Sequence, residues 1–389
     1  MFTNQSKLRS VHRWLSPLVV SALVLAACGA ELAEPTSAVD DRYGVIPSPP
    51  LPTKVPDLAF DPAVAIADVD GSVVVTATKA GLVFDDSDGG ISDPIEIRPA
   101  AELRAVSAAG TRAALFEQTD GRSLITVVDR TSGAPVTREY ELPGLVEPEA
   151  FSTDGSLLFV IDHQVAASPG AYRVRPLDLA TGRLETALGP NKAPIEEDMN
   201  GIGRQQVWSP DGTRLYTLYI RQTDHYHEAE QAVPSSSARG GAGTDGFVHV
   251  LDLNEEWAFC LDLPPEFGRG DLETTALAVS PNGKTVAVAD VTAGQIAFAS
   301  TEDLTVTRTE TLPDFSISDE LQIGMTTDQL VMGFDNELHW FDQETMSPLS
   351  PTPHRLDKPL RAITSNSMSV LAWTNDPTGQ PDTVYPPTE

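Results

Sequence analysis

Cysteine is nearly absent from this chain of 389 residues: Cys28 and Cys260 are the only two. If Cys28 is consumed by other chemistry, no intrachain disulfide can form. Cys260 lies in the apolar run WAFCLDL at 257–263, where it reads as packing material rather than as a nucleophile. Positive charge is scarce as well. The chain has 26 Lys and Arg against 56 Asp and Glu, a formal charge of −30, or −33 without Lys7, Arg9 and Arg13. So acidic a surface repels phosphate backbones and anionic headgroups, which excludes nucleic acid as a partner. Catalytic signatures are missing too: no Gly-x-Ser-x-Gly elbow, no P-loop and no His-Glu-x-x-His occurs. The expectation is a protein that is not an enzyme and carries no cofactor. Convincing helical periodicity is also lacking, and 31 Pro with 28 Gly favour turns over long helices.

What is there is a repeated phrase. VWSPDGTRLYTLYI at 207–220 returns as AFSTDGSLLFVID at 150–162 and AVSPNGKTVAVAD at 278–290. In each, an apolar residue precedes Ser, and a turn ending in Gly155, Gly212 or Gly283 follows. Pro presets φ, Asp or Asn bonds the backbone, and Gly supplies positive φ, so each phrase reads as a hairpin. The second strands are apolar on both faces, which requires sheet packed on sheet. Weaker copies at 65–76, 103–116, 323–332 and 361–373 bring the hairpins to seven. Turn positions Gly71, Gly110, Gly155, Gly212, Gly283, Asp328 and Met368 are spaced by 39, 45, 57, 71, 45 and 40 residues. Four of these spacings lie near the roughly 40–45 residues of a four-stranded propeller blade, and the two long ones call for insertions.

A second phrase follows the hairpins. A strand ends in Asp129, Asp178, Asp252 or Asp342 just before a turn, and the carboxylate is expected to accept turn backbone N–H groups. Pro176, inside one of these strands, should cost its ladder one bond. The Ser-Pro-Asp-Gly hairpins with the Val-Val-Asp…Thr-Ser-Gly strands resemble the seven-bladed WD-repeat-like and YVTN-type propellers of secreted bacterial proteins. The resemblance covers residues 57–389 and implies an all-β, seven-bladed β-propeller of four-stranded antiparallel blades. The last unit is short of a strand: after Trp373 only 382–385 can supply a third. Residues 43–51 are the expected donor of the ring-closing outer strand.

The N-terminus reads as an address. Lys7, Arg9 and Arg13 precede an apolar run at 14–27, too short for the ~20 residues of a membrane span and fit for a secretory signal. Leu25-Ala26-Ala27-Cys28-Gly29 resembles the lipobox of bacterial lipoproteins, which implies cleavage before Cys28 and diacylglycerol on its thiol. Residues 1–27 are then a signal peptide, and 28–56, rich in Pro, a lipid-anchored tether. The protein is expected to be a monomer held to the cell membrane on the extracytoplasmic face of the envelope.

Candidate sites fall in the two long insertions. The larger, 221–246, contains Asp224, His225, Tyr226, His227 and Glu228 before a Ser/Gly-rich run. A long insertion on a rigid scaffold is where partner contact is expected. His225 and His227 are weak metal candidates, because their spacing matches no established metal signature. The other insertion, 189–203, carries the acidic triplet Glu196, Glu197 and Asp198. The Gly-x-Gly-x-x-Gly at 241–246 leads into a strand, not a helix, so it is no phosphate loop. The acidic run at 85–90 fails the register of a calcium loop and reads as a hairpin turn. These features point to a non-catalytic scaffold binding a protein or small-molecule ligand. The alternative is a propeller enzyme, such as a lactonase-like hydrolase with a central divalent metal.

Overall fold

The computed structural model describes residues 64–67, 73–78, 80–86, 90–163, 171–195, 199–220, 246–315, 320–374 and 382–387. Each of the seven expected hairpins is present and opens its own antiparallel sheet. The first sheet runs β1 (Val64–Ala67), β2 (Val73–Thr78), β3 (Gly81–Asp86), β4 (Gly90–Ile91), and the second β5 (Glu102–Val106), β6 (Arg112–Thr119), β7 (Arg122–Asp129), β8 (Val136–Pro143). The third is β9 (Leu145–Phe151), β10 (Leu157–His163), β11 (Tyr172–Asp178), β12 (Arg183–Leu184). The fourth is β13 (Ile202–Trp208), β14 (Arg214–Ile220), β15 (Gly246–Asp252), β16 (Trp257–Asp262). The fifth is β17 (Thr275–Val279), β18 (Thr285–Asp290), β19 (Gln295–Ser300), β20 (Thr305–Thr311). The sixth is β21 (Gln322–Met325), β22 (Gln329–Phe334), β23 (Glu337–Asp342), β24 (His354–Arg355). The seventh has three strands among the described residues: β25 (Leu360–Ser365), β26 (Val370–Thr374), β27 (Asp382–Val384). One short 3-10 turn, Leu272–Thr274, is the only helical element among the described residues.

Strand order equals chain order in every sheet, and first strands of neighbouring sheets lie against one another at β1–β5, β5–β9, β13–β17, β17–β21 and β21–β25. Side-chain burial follows from that stacking. β14, β15, β17 and β22 are buried almost throughout, whereas the outer strands β8 and β20 are largely exposed. Six apolar clusters fill the seams between successive sheets. A fully buried Phe159 or Phe298 contributes about 2–3 kcal/mol to its seam. The molecule is a seven-bladed β-propeller. The expected ring-closing donor, 43–51, lies outside the described residues.

The turn chemistry explains the repeat. In the fourth sheet, Ser209 Oγ donates to Asp211 Oδ1 at 2.6 Å and accepts from Arg214 N at 2.9 Å, while Gly212 turns at φ 68°. Ser152 with Asp154, and Ser280 with Asn282, repeat it at 2.8 Å. The strand-ending aspartates act as expected: Oδ1 of Asp129, Asp178, Asp252 and Asp342 accepts backbone N–H groups of the following turn.

Pro176 does forgo one ladder bond, and its place in the sheet explains why the strand tolerates that. It pairs with Phe159 on β10, but its carbonyl accepts from Glu185 N at 2.8 Å on the opposite side. A residue's N and O point the same way in a strand, so the missing N–H faces the outer edge and costs nothing on the β10 side. Its acceptor would have been Glu185 O, and Arg175 Nε fills that place at 3.1 Å.

Candidate functional site

Four of the first strands carry a β-bulge, and each time the extra residue is charged. On β5, Leu103 pairs with Leu115 and Ala105 with Ala114, which leaves Arg104 over. On β9 the residue left over is Glu149, on β13 Arg204, and on β25 Arg361. A bulge bends its strand and re-aims the side chain that does not pair. This lets a first strand keep an apolar seam while turning one charge elsewhere. Arg104, Arg204 and Arg361 sit near the starts of their strands, at the ring face where each sheet receives the chain from the preceding one.

There the charges bind one another across sheets. Arg104 Nη2 lies 2.9 Å from Glu102 and 3.4 Å from Glu147 of the third sheet. Glu147 also meets His163 Nε2 at 2.9 Å. Burial alone would raise the Glu147 pKa, but the His163 bond and the Arg104 and His163 charges outweigh it and hold it below the usual value. Arg204, buried, reaches further: Nη1 lies 2.6 Å from Glu320, and Nε donates to Leu272 O at 2.7 Å. It thus ties the fourth sheet to the entries of the fifth and sixth. Arg361 is exposed at the same face.

Glu149 is different. It is buried between the third and fourth sheets, and burial pushes its pKa up to about 7, against the opposing effect of the Thr217 bond. Thr217, His249 and Cys260 are cross-strand neighbours and so share one face of the fourth sheet. His249 is buried, its Nδ1 has no partner, and burial drives its pKa down to about 3. Tyr172, Tyr219 and Phe247 continue this seam with ring centroids 5.3 and 5.1 Å apart. Cys260 is half-buried there, its Sγ 3.5 Å from Met199 Sδ, in keeping with the packing role expected of it. Among the described residues no three His, Cys, Asp or Glu are placed to hold a metal ion.

Cys28, the loop residues Asp224, His225, Tyr226, His227 and Glu228, and the triplet Glu196, Glu197 and Asp198 all lie outside the described residues. Their points of attachment are described. Segment 221–245 joins Ile220 to Gly246, which pair at the ends of β14 and β15. The triplet stands between Ile195 and Met199, in the link from the third sheet to the fourth. Antiparallel connectivity puts the second-to-third loop and the sheet-to-sheet link at one ring face, the face that holds Arg104, Glu147, His163 and Arg204. Sequence reasoning missed that charged hub. The available signal was a lone charge inside an apolar first strand, as in Leu103-Arg104-Ala105 and Leu360-Arg361-Ala362.

No protein-family model matches the chain, and none of the curated proteins does. Among solved structures, the chain is similar to the Dos1 propeller at 11% identity, covering 78% of this chain and 73% of that one, with a TM-score of 0.44. The β-propeller domain of Cps50 (Swd1) from Myceliophteria thermophila is similar at 10% identity over 83% of this chain and 96% of that one, TM-score 0.44. TolB from Acinetobacter baumannii is similar at 14% identity over 67% and 56%, TM-score 0.36. Identities this low say nothing of a shared ligand or activity.

Proposed function

We propose that the protein is a lipid-anchored, extracytoplasmic binding module that captures a protein partner on one face of a rigid ring and performs no catalysis. The observation that carries this reading is the locked hub. Arg104 pairs across sheets with Glu147, which also holds His163, and Arg204 pairs separately with Glu320, while both long insertions leave the ring at that same face. A frame braced in this way holds loops of variable sequence in register, which suits recognition. The anchor rests on Leu25-Ala26-Ala27-Cys28, the lipobox-like end of the apolar run.

Deleting 221–245 with a two-residue Gly bridge tests the site. Partner capture by the deletion chain should fall at least about tenfold while its melt is retained. Unchanged capture by a folded deletion chain defeats the assignment. The anchor is tested separately: Cys28→Ser should abolish labelling by an alkyne fatty acid and release the chain from the membrane fraction.

A further inference from the structure

On the opposite ring face, the turns of neighbouring sheets form a slot that is filled at one seam and open at another. Arg112 and Arg214 hold the same place, the first residue of a second strand, and both bond the Asp that ends the third strand. Arg112 Nε lies 2.9 Å from Asp129, and Arg214 Nε 2.8 Å from Asp252. The two guanidinium groups then part company. Arg112 Nη1 reaches the hairpin turn of the next sheet, 3.4 Å from Asp154 O. It lies so tightly over Gly155 that a methyl group there would fall 1.7 Å from Nη1. Arg214 Nη1 turns instead to Thr301 O at 2.6 Å. At Gly283, the counterpart of Gly155, a methyl group would meet only Pro210 Cδ at 3.5 Å.

The slot left between the fourth and fifth sheets is a cleft of about 630 Å³, flanked by Pro210 and Pro281 and lined by Asp211, Asp252, Glu255 and Arg214. Arg214 pairs with Asp252, and Lys192 lies 3.7 Å from Glu255, so Asp211 is the lining carboxylate with no ion pair among the described residues. Tyr216 also lines the cleft; its buried hydroxyl makes no hydrogen bond of ordinary geometry and lies beside the Arg214 guanidinium. The turn bonds of Asp211 all go to Oδ1. Those bonds, from Ser209 and Thr213, outweigh burial and hold its pKa below the usual value, so the carboxylate is ionised at neutral pH.

We propose that this cleft is a docking site for an arginine side chain of a partner protein, which takes the place that Arg112 takes for itself at the second seam. The occupant is a cation because the lining sets three carboxylates, Asp211, Asp252 and Glu255, against the single guanidinium of Arg214, and the whole chain carries −30. It is a guanidinium because the filled seam accepts that flat group over a turn glycine. A planar fork also bonds carboxylates and carbonyls together better than an ammonium does. The site refines the binding-module reading but depends on it only for the partner's being a protein.

The test is titration calorimetry on the full chain in detergent with acetyl-Gly-Arg-Gly-amide, and with its lysine and citrulline counterparts. The arginine peptide should bind, the lysine peptide more weakly, and the uncharged citrulline peptide not measurably. The double variant Asp211→Asn, Glu255→Gln should weaken the arginine peptide about tenfold or more. Asn is compatible with the turn, since Asn282 fills that role in the next sheet. If the double variant melts lower than wild type, Glu255→Gln alone gives the readout, as Glu255 is exposed. Equal binding of arginine and citrulline peptides, binding unaffected by these substitutions, or no heat with peptide up to ~10 mM overturns the proposal. Loss of peptide binding with intact partner capture at 221–245, or the reverse, tells this site apart from the other.

Discussion

The Thr217 hydroxyl donates to Glu149 Oε1 at 3.3 Å across the seam between the third and fourth sheets, and Glu149 Oε2 has no partner. A carboxyl so placed is stable only while neutral. Above about pH 4.5 the unfolded chain releases this proton while the folded chain keeps it. The stability present below that pH is therefore lost as the pH rises to about 7, a change of roughly 3 kcal/mol. Glu149→Gln should leave stability near pH 4.5 unchanged and raise it by that order at pH 8. Denaturant melts at the two pH values check this, and a pH-independent difference would contradict it.

His249 titrates in the opposite sense. Its pKa is depressed from 6.5 to about 3 by burial, so its contribution is present above pH 6.5 and lost as the pH falls toward 3. His249→Leu removes both the titration and the orphaned Nδ1. Its acid unfolding midpoint should move down by about one pH unit or more, with little change at pH 7.5. An unmoved acid midpoint would show that His249 is not held neutral.

Arg204 joins three sheets through one side chain. Arg204→Met should cost roughly 2–3 kcal/mol, because two carbonyls and the half-buried Glu320 lose their donor. Arg204→Lys should recover less than half of that, since an ammonium lacks the fork that serves all three acceptors. Full recovery by Lys would reduce the role to bare charge.

Arg175 and Pro176 form a coupled pair through Glu185 O. In a double-mutant cycle with Arg175→Ala and Pro176→Ala, loss of Arg175 should cost about 0.5–1 kcal/mol less when residue 176 can donate an N–H. Strict additivity would mean that the guanidinium does not stand in for the missing donor.

Gly155 and Gly283 are matched positions, with φ of 69° and 70°. Both alanine substitutions carry the left-handed backbone penalty of roughly 1 kcal/mol. Gly155→Ala must also displace the Arg112 guanidinium and should be the more destabilising by about 1–2 kcal/mol. Equal effects would mean that the second seam is as open as the fourth.

Much of the ring was legible because turns are local. Ser, Asp or Asn, and Gly at fixed offsets close three of the hairpins using atoms within six residues, and partial copies at a matching spacing placed the other four from the chain alone. The third strands ending in Asp129, Asp178, Asp252 and Asp342 were legible for the same reason. The hub was not. Arg204 meets Glu320 at a separation that no local pattern encodes, and a bulge leaves little trace in the sequence beyond one charge in an apolar strand.

The sequence by itself determined the number of hairpins, the burial of the second strands on both faces, the acidic character of the surface and the apolar N-terminal run behind three basic residues, since each depends on neighbours along the chain. Only the tertiary structure decided which charges pair, why Pro176 is tolerated and which seam stays open. Those outcomes depend on where a side chain from one sheet ends relative to the turn of the next. Arg112 and Arg214 begin alike in sequence and finish on different carbonyls because packing across the seam, not the residue, selects the acceptor.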